Sequence, residues 1–143
     1  MDILKVGDGP FNGSNIETVQ NVFGKTVEYN RRGGYEMKNN KWVTFIYLAT
    51  QRPNGEWTLP PNAPINNWLN KPNSDNTEFL RECYDENLNR QFASPTTEYA
   101  VFNKIRNNES YFYGIFKLHE ERNNGLVCVY RRISTELNCA EWV

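Results

Sequence analysis

YFYGIFKLHEERNNGLVCVYRRI, residues 111–133, predicts one long β-hairpin. Asn124-Gly125 lies near its centre, and this pair tolerates the positive φ angles that a two-residue type I′ turn requires. With such a turn His119 lies opposite Tyr130, and directly paired residues share a face of the ribbon. The hairpin is therefore expected to have two faces of different chemistry.

The two predicted faces differ in polarity. The apolar face, expected in the core, carries Phe112, Phe116, Leu118, Val127, Val129 and Ile133. The outer face carries an aromatic and basic set, namely Tyr111, Tyr113, Lys117, His119, Tyr130 and Arg132. Aromatic rings can stack on bases while cations pair with phosphates. These six residues are the candidate ligand-binding site, and the predicted ligand is single-stranded nucleic acid or a nucleotide.

Composition bounds the other possibilities. The chain has 143 residues, which fits a single domain over residues 1–143. Its 16 basic and 17 acidic residues nearly cancel, so no whole-molecule field would attract a polyanion and a local patch would have to do so. Three irregularly spaced cysteines argue against a disulfide framework and predict a reducing, cytoplasmic location. No signal peptide or membrane span is expected.

Local signals along the chain predict an α+β fold, with antiparallel sheet or sheets and about three short helices. Ser14-Asn15-Ile16-Glu17 is a capping box, and Gly24 supplies the stop of a first helix. Residues 75–92 and the stretch from Ser94-Pro95 to about Arg106 are interpreted as the second and third helices.

The remaining segments are predicted as strands and loops. Residues 3–6 predict a first strand, residues 26–30 and 35–38 a hairpin, and residues 41–49 a central strand. Residues 60–73 are rich in proline and asparagine, which predicts an irregular loop.

Two of these segments resemble the motifs of the RNA recognition motif family. Leu4-Lys5-Val6-Gly7-Asp8 is similar to its first-strand motif, and residues 41–48, KWVTFIYL, are similar to its third-strand motif. The resemblance implies RNA binding by stacking aromatics on a sheet. At the family's stacking positions this chain has Lys5, Val43 and Phe45, so Phe45 alone is aromatic.

Two catalytic alternatives remain open at the sequence level. Glu28, Glu36 and Lys38 could hold Mg²⁺ and stabilise phosphate charge, which would make the protein a metal-dependent nuclease. His119 and Cys128 are diagonal neighbours in the predicted hairpin and could form a nucleophilic dyad. The cysteines and the histidine lack the spacing of a zinc site, so neither a metal nor a cofactor is expected.

Three function hypotheses follow, in this order. The first is a non-catalytic binding module for single-stranded nucleic acid or a nucleotide. The second is a protein-binding module, such as a small virus-encoded or phage-encoded inhibitor, because Tyr, Trp and Arg dominate protein interfaces. The third is the nuclease.

Overall fold

The computed structural model describes residues 2–28, 34–61, 63, 68–83 and 94–143. These residues contain one α-helix, α1 (Asn15–Phe23), and two short 3-10 turns, Asn123–Gly125 and Cys139–Trp142. The strands are β1 (Ile3–Lys5), β2 (Phe11–Asn12), β3 (Tyr35–Glu36), β4 (Lys41–Ile46), β5 (Thr50–Gln51), β6 (Trp57–Thr58), β7 (Trp68–Pro72), β8 (Glu78–Cys83), β9 (Glu98–Arg106), β10 (Glu109–Arg122), β11 (Val127–Ser134) and β12 (Glu136–Asn138). The fold is therefore mainly sheet.

The predicted α+β class with about three helices is wrong. The second predicted helix coincides with β8 in its described part, and the third coincides with β9; residues 84–93 lie outside the described residues. β9 is hydrogen-bonded between β4 and β10 and is buried on both faces. Such a strand is apolar at consecutive positions, and hydrophobic periodicity alone does not distinguish it from a buried helix.

The first predicted helix is confirmed as α1. The Ser14 hydroxyl accepts a hydrogen bond from the Glu17 N–H at 3.2 Å, and the Glu17 carboxylate accepts one from the Ser14 N–H at 3.4 Å. Gly24 ends the helix in the left-handed conformation at φ 69°. These contacts satisfy backbone groups that both helix ends would otherwise leave unpaired, which is why this local signal was sufficient.

The main sheet has the strand order β3-β4-β9-β10-β11-β8-β7, in which the β4–β9 pair is parallel. Beyond β4 the chain continues to Leu48, which forms a parallel bridge with Asn70 of β7. The Ala49 N–H also donates to the Asn70 carbonyl at 2.8 Å. One chain segment thus contacts β9 at its start and β7 at its end, and the sheet closes into a barrel.

The two faces of the sheet pack into two cores. The helix-side core joins the sheet to α1 and the C-terminal segment; Leu137 and Trp142, each 1% exposed, lie in it as their apolar character predicts. The barrel core, on the other face, consists of Ile46, Phe79, Val101, Tyr113, Phe116, Cys128 and Tyr130. Val101 of β9 lies in the barrel core while its neighbours Ala100 and Phe102 lie in the helix-side core, as strand alternation requires.

The hairpin of residues 111–133 is confirmed, but its predicted register is only partly correct. Close to the turn the pairing follows the prediction, with Glu121 opposite Cys128. A register shift between Leu118 and Glu120 then places Leu118, not His119, opposite Tyr130. An extra residue in one strand moves the following side chains to the other face, so the predicted separation into apolar and aromatic-basic faces is lost. Ile133, predicted in the core, is 48% exposed.

Three other segments differ from the prediction. β3 pairs with β4 rather than with residues 26–30, of which 29 and 30 lie outside the described residues. The loop predicted at 60–73 contains β7. The two segments that resemble RNA recognition motifs lie in different sheets, because β1 pairs with β12 whereas β4 pairs with β3 and β9. The resemblance is therefore not supported. No described helix is long and apolar enough to span a membrane.

Candidate functional site

A pocket of about 140 Å³ lies where the barrel closes. Its lining comes from the end of β4, from the segment after β6, and from β7 and β8; the residues are Phe45, Ile46, Tyr47, Leu59, Trp68, Asn70 and Arg81. An engineered cavity of about 150 Å³ in another protein admits benzene. The pocket is therefore large enough for one planar six-membered ring.

The pocket follows from the way the barrel closes. β4 pairs with β9 up to Ile46, and the segment after Tyr47 then pairs with β7 through the Leu48–Asn70 bridge. The Leu48 N–H donates to the Asn103 side-chain oxygen at 3.1 Å, which holds this segment between the two strands. Tyr47 and Trp68 both line the pocket that this change of partner creates.

The polar groups of the pocket have a defined orientation. An Arg81 Nη donates to the Asn70 Oδ1 at 3.0 Å, and the Arg81 guanidinium lies 4.7 Å from the centroid of the Trp68 ring. A guanidinium has donors only, so the amide oxygen of Asn70 must face it. The Asn70 Nδ2 is then directed away, and none of the described residues accepts a hydrogen bond from it. Asn70 is only 4% exposed, but its Nδ2 is not among the enclosed polar atoms that lack a hydrogen-bond partner, so the pocket offers a donor of a largely buried residue beside an aromatic ring.

Tyr47 adds a second aromatic wall. Burial raises the pKa of its phenol, which is protonated at neutral pH even at its ordinary pKa. Trp68 and Tyr47 are both half-buried and both line the pocket. Phe45 is fixed by stacking on Phe102 of β9, with the ring centroids 5.1 Å apart.

The six residues predicted as a ligand-binding face do not form an exposed face. Tyr113 and Tyr130 are 8% and 7% exposed and belong to the barrel core. Burial raises the pKa of both phenols, and that of Tyr113 rises to about 12. The Arg132 guanidinium lies 4.8 Å from the Tyr113 ring centroid and donates to the Tyr113 carbonyl. The exposed patch that the prediction requires is therefore absent at these three positions.

The other three predicted residues lie closer to solvent. His119 is exposed at the register shift of the hairpin, and Lys117 and Tyr111 are half-buried. Lys117 is paired with Arg131 of β11. None of the three lines the pocket. A role for them in ligand binding stays a prediction.

The catalytic alternatives have little geometric basis. Cys128 is 0% exposed, and burial raises the pKa of its thiol to about 11, which makes it a poor nucleophile. Its strand partner is Glu121, not His119. Across the described ranges, His, Cys, Asp and Glu side chains form no group of three or more that could hold a metal ion. Glu28 and Glu36, the proposed nuclease ligands, are both exposed to solvent.

Sequence reasoning missed the residues of the pocket. Trp68, Asn70 and Arg81 lie in segments interpreted as a loop and a helix. The available signal was the alternation on two paired strands, because Trp68 is paired with Cys83, Asn70 with Arg81 and Pro72 with Phe79. The prolines and asparagines around this segment outweighed that alternation.

Comparison with known proteins gives a family. The family model of the SRA (SET and RING associated) domain matches residues 11–139. Among solved structures, the chain is similar to the 5-hydroxymethylcytosine-specific restriction enzyme AbaSI, with 17% identity and a TM-score of 0.52. The match covers 95% of this chain and 39% of the enzyme, so it concerns part of a longer protein. No curated protein matches.

The family match supports a nucleic acid-binding module, which confirms the coarse part of the first hypothesis. The preference for single strands or nucleotides, the cytoplasmic location and the protein-binding alternative stay predictions.

Proposed function

Because the chain belongs to the SRA domain family, we propose that it is a DNA-binding module that recognises a modified cytosine. The base would enter the pocket between Tyr47 and Trp68 and meet the amide of Asn70. AbaSI is specific for 5-hydroxymethylcytosine by its name, and a 5-substituted cytosine is the ligand class proposed for this chain. The cleavage carried out by that longer enzyme is not part of the proposal.

The pocket carries the proposal because its size and lining suit one base. It takes a single six-membered ring, and aromatic stacking contributes about 1–3 kcal/mol per base in nucleic acid complexes. Trp68 is supported from one side by Arg81, so its ring is held in place before a ligand arrives. A base within a stacked duplex could not enter a concave pocket, so the nucleotide would have to be turned out of the helix at a cost of a few kcal/mol.

The donor of Asn70 favours a ligand with an acceptor at the facing position. Cytosine has acceptors at O2 and N3, and a 5-hydroxymethyl group adds another oxygen. A desolvated donor left without an acceptor costs about 1–3 kcal/mol, so a base that supplies one is preferred over a base that does not. The hydrogen bond from Arg81 orients the Asn70 Nδ2 donor, and the affinities for different bases would identify the acceptor atom that this donor contacts.

The charge balance predicts how specificity and affinity are divided. With a net charge of −1 the protein gains little from general attraction to DNA, so non-specific binding should be weak and its salt dependence shallow. Contacts inside the pocket would then provide a large share of the affinity for a modified site.

The test is fluorescence anisotropy with matched duplexes that carry one central cytosine, 5-methylcytosine or 5-hydroxymethylcytosine. Single strands of the same sequence form a second arm, because an unpaired base enters the pocket without the cost of leaving a duplex. Tighter binding to one modified duplex supports the proposal. Equal affinity for all three duplexes contradicts it, and a preference for single strands regardless of modification favours the earlier single-strand hypothesis.

Trp68→Ala and Trp57→Ala form a matched pair for this test. Both tryptophans are half-buried, and each lies against a cation, Arg81 at 4.7 Å and Lys71 at 5.8 Å. Trp68 lines the pocket and Trp57 does not. We expect Trp68→Ala alone to lose the preference for the modified duplex. An equal loss in both variants would contradict binding of the base in the pocket.

A further inference from the structure

Lys104 of β9 is a buried cation for which the described residues supply no ionic partner. Its residue is 8% exposed, and burial lowers the pKa of its ammonium group. Two other half-buried strand lysines, Lys41 and Lys71, have carboxylates at 3.3 and 3.2 Å, from Glu98 and Glu82. None of the ion pairs within the described part of the chain includes Lys104.

Lys104 lies directly behind the pocket wall. The pairing between β4 and β9 ends at Ile46 and Asn103. Tyr47 and Lys104 follow these two residues, and their side chains are in contact. The Lys104 Nζ is 5.6 Å from the centroid of the Tyr47 ring, and Tyr47 lines the pocket. The aliphatic stem is buried, whereas the nitrogen is not among the enclosed polar atoms that lack a hydrogen-bond partner. The charge therefore lies next to one residue of the pocket lining, Tyr47.

A cation on a largely buried residue is costly when a ring is its one partner among the described residues, because the ring returns a small part of the lost hydration. Such a cation is well placed for an anion that is present only in the complex. A nucleotide brings one with it, since each base is joined to a phosphodiester group.

We propose that Lys104 binds the phosphate of the nucleotide whose base occupies the pocket. This inference rests on the proposed function, because it takes the pocket to be the base-binding site. Lys104 thus acts as a phosphate-binding residue and secures the backbone while Tyr47 and Trp68 contact the base. The contact carries no base specificity, since phosphate contacts position a protein without identifying the sequence.

The test compares Lys104→Met with Lys71→Met on the full chain. Both changes remove one charge and one cation–π contact. Lys71 differs from Lys104 because it is paired with Glu82 and its ring partner, Trp57, does not line the pocket. Methionine keeps the length of the stem and removes the buried charge, so the fold should be retained; thermal unfolding checks this. Binding is measured to a 5-hydroxymethylcytosine duplex over a range of salt concentrations.

Lys104→Met should weaken binding about 10-fold and reduce the slope of log K against log salt by about 0.9. Lys71→Met should change neither quantity. The ratio of affinities for modified and unmodified duplexes should stay as in the unmodified protein, because the lost contact is to the backbone.

A neutral methylphosphonate linkage beside the modified nucleotide locates the contact. On this DNA, Lys104→Met should have no further effect, whereas on normal DNA it has the full effect. An equal loss on both DNAs indicates that Lys104 only supports Tyr47, and no loss on either shows that it contacts no phosphate; either result overturns the inference. If the unmodified protein does not distinguish modified from unmodified duplexes, the proposed function fails instead, and the salt slope of Lys104→Met still reports on the lysine.

Discussion

Asn70→Asp separates the side chain's role in the fold from its role in the pocket. The change is nearly isosteric and keeps the oxygen to which Arg81 donates at 3.0 Å, so this hydrogen bond becomes an ion pair. The Leu48–Asn70 bridge uses the backbone and is unaffected. We therefore expect the free energy of unfolding to stay within about 1 kcal/mol of that of the unmodified protein.

The effect on binding should be much larger. The Nδ2 donor is replaced by an oxygen, so a base that accepted a hydrogen bond would face a second acceptor in a site that is 4% exposed. Leaving a buried partner unsatisfied costs about 1–3 kcal/mol, which corresponds to a loss of roughly 5- to 150-fold in affinity. This loss should be confined to the modified duplex, since non-specific binding does not use the pocket.

The assay is anisotropy with duplexes carrying cytosine or 5-hydroxymethylcytosine, and Asn103→Asp is the control. Asn103 also accepts a hydrogen bond through Oδ1, from the Leu48 N–H at 3.1 Å, but it does not line the pocket. Asn103→Asp should leave the affinities unchanged. The reasoning is refuted if folded Asn70→Asp binds the modified duplex as tightly as the unmodified protein, or if both duplexes lose affinity equally.

Three further predictions concern stability. Phe116→Ala should destabilise by about 3–5 kcal/mol in urea unfolding, because Phe116 is 0% exposed in the barrel core. Gly114→Ala should lower the melting temperature, since Gly114 has φ 127° and a Cβ there would lie 2.7 Å from the Arg132 Nε; an unchanged value would contradict this. Burial raises the pKa of Cys128 to about 11 and that of Tyr113 to about 12, from ordinary values of 9.0 and 10.0. The folded state therefore favours the protonated groups, and the free energy of unfolding that this preference contributes is complete below pH 9 and lost as the pH rises toward 12. The urea midpoint should fall over this range, and less in Tyr113→Phe.

Signals confined to a few adjacent residues predicted structure well. The capping box at Ser14 and the stop at Gly24 predicted both ends of α1 correctly, because each satisfies backbone groups of the helix within one turn. Asn124-Gly125 gave the turn of the β10–β11 hairpin, although four residues, 123–126, connect the strands. Asn123, Asn124 and Gly125 all have positive φ, which explains why these residue types identified the turn.

Signals that depend on distant contacts failed. The two faces of the hairpin could be assigned only if its register were uniform, and the shift at His119 was not apparent in the sequence. β10 pairs with β11 on one side and β9 on the other, and its register shifts against both partners. Such bulges follow from curvature of the whole sheet rather than from the local residues. Tyr113 and Tyr130 therefore lie in the barrel core, where the sequence placed a binding surface.

The pocket was missed for the same reason, and this connects its position to its chemistry. It exists because the segment after β4 leaves β9 and pairs with β7, a contact between Leu48 and Asn70 that no local pattern encodes. At Asn70 the backbone closes the barrel while the side chain, fixed by Arg81, lies in the pocket lining. A ligand that contacts this amide meets a side chain that Arg81 already holds in place, so little side-chain entropy remains to be lost on binding. Substitutions that change the amide but not the backbone should therefore alter recognition while the barrel stays closed.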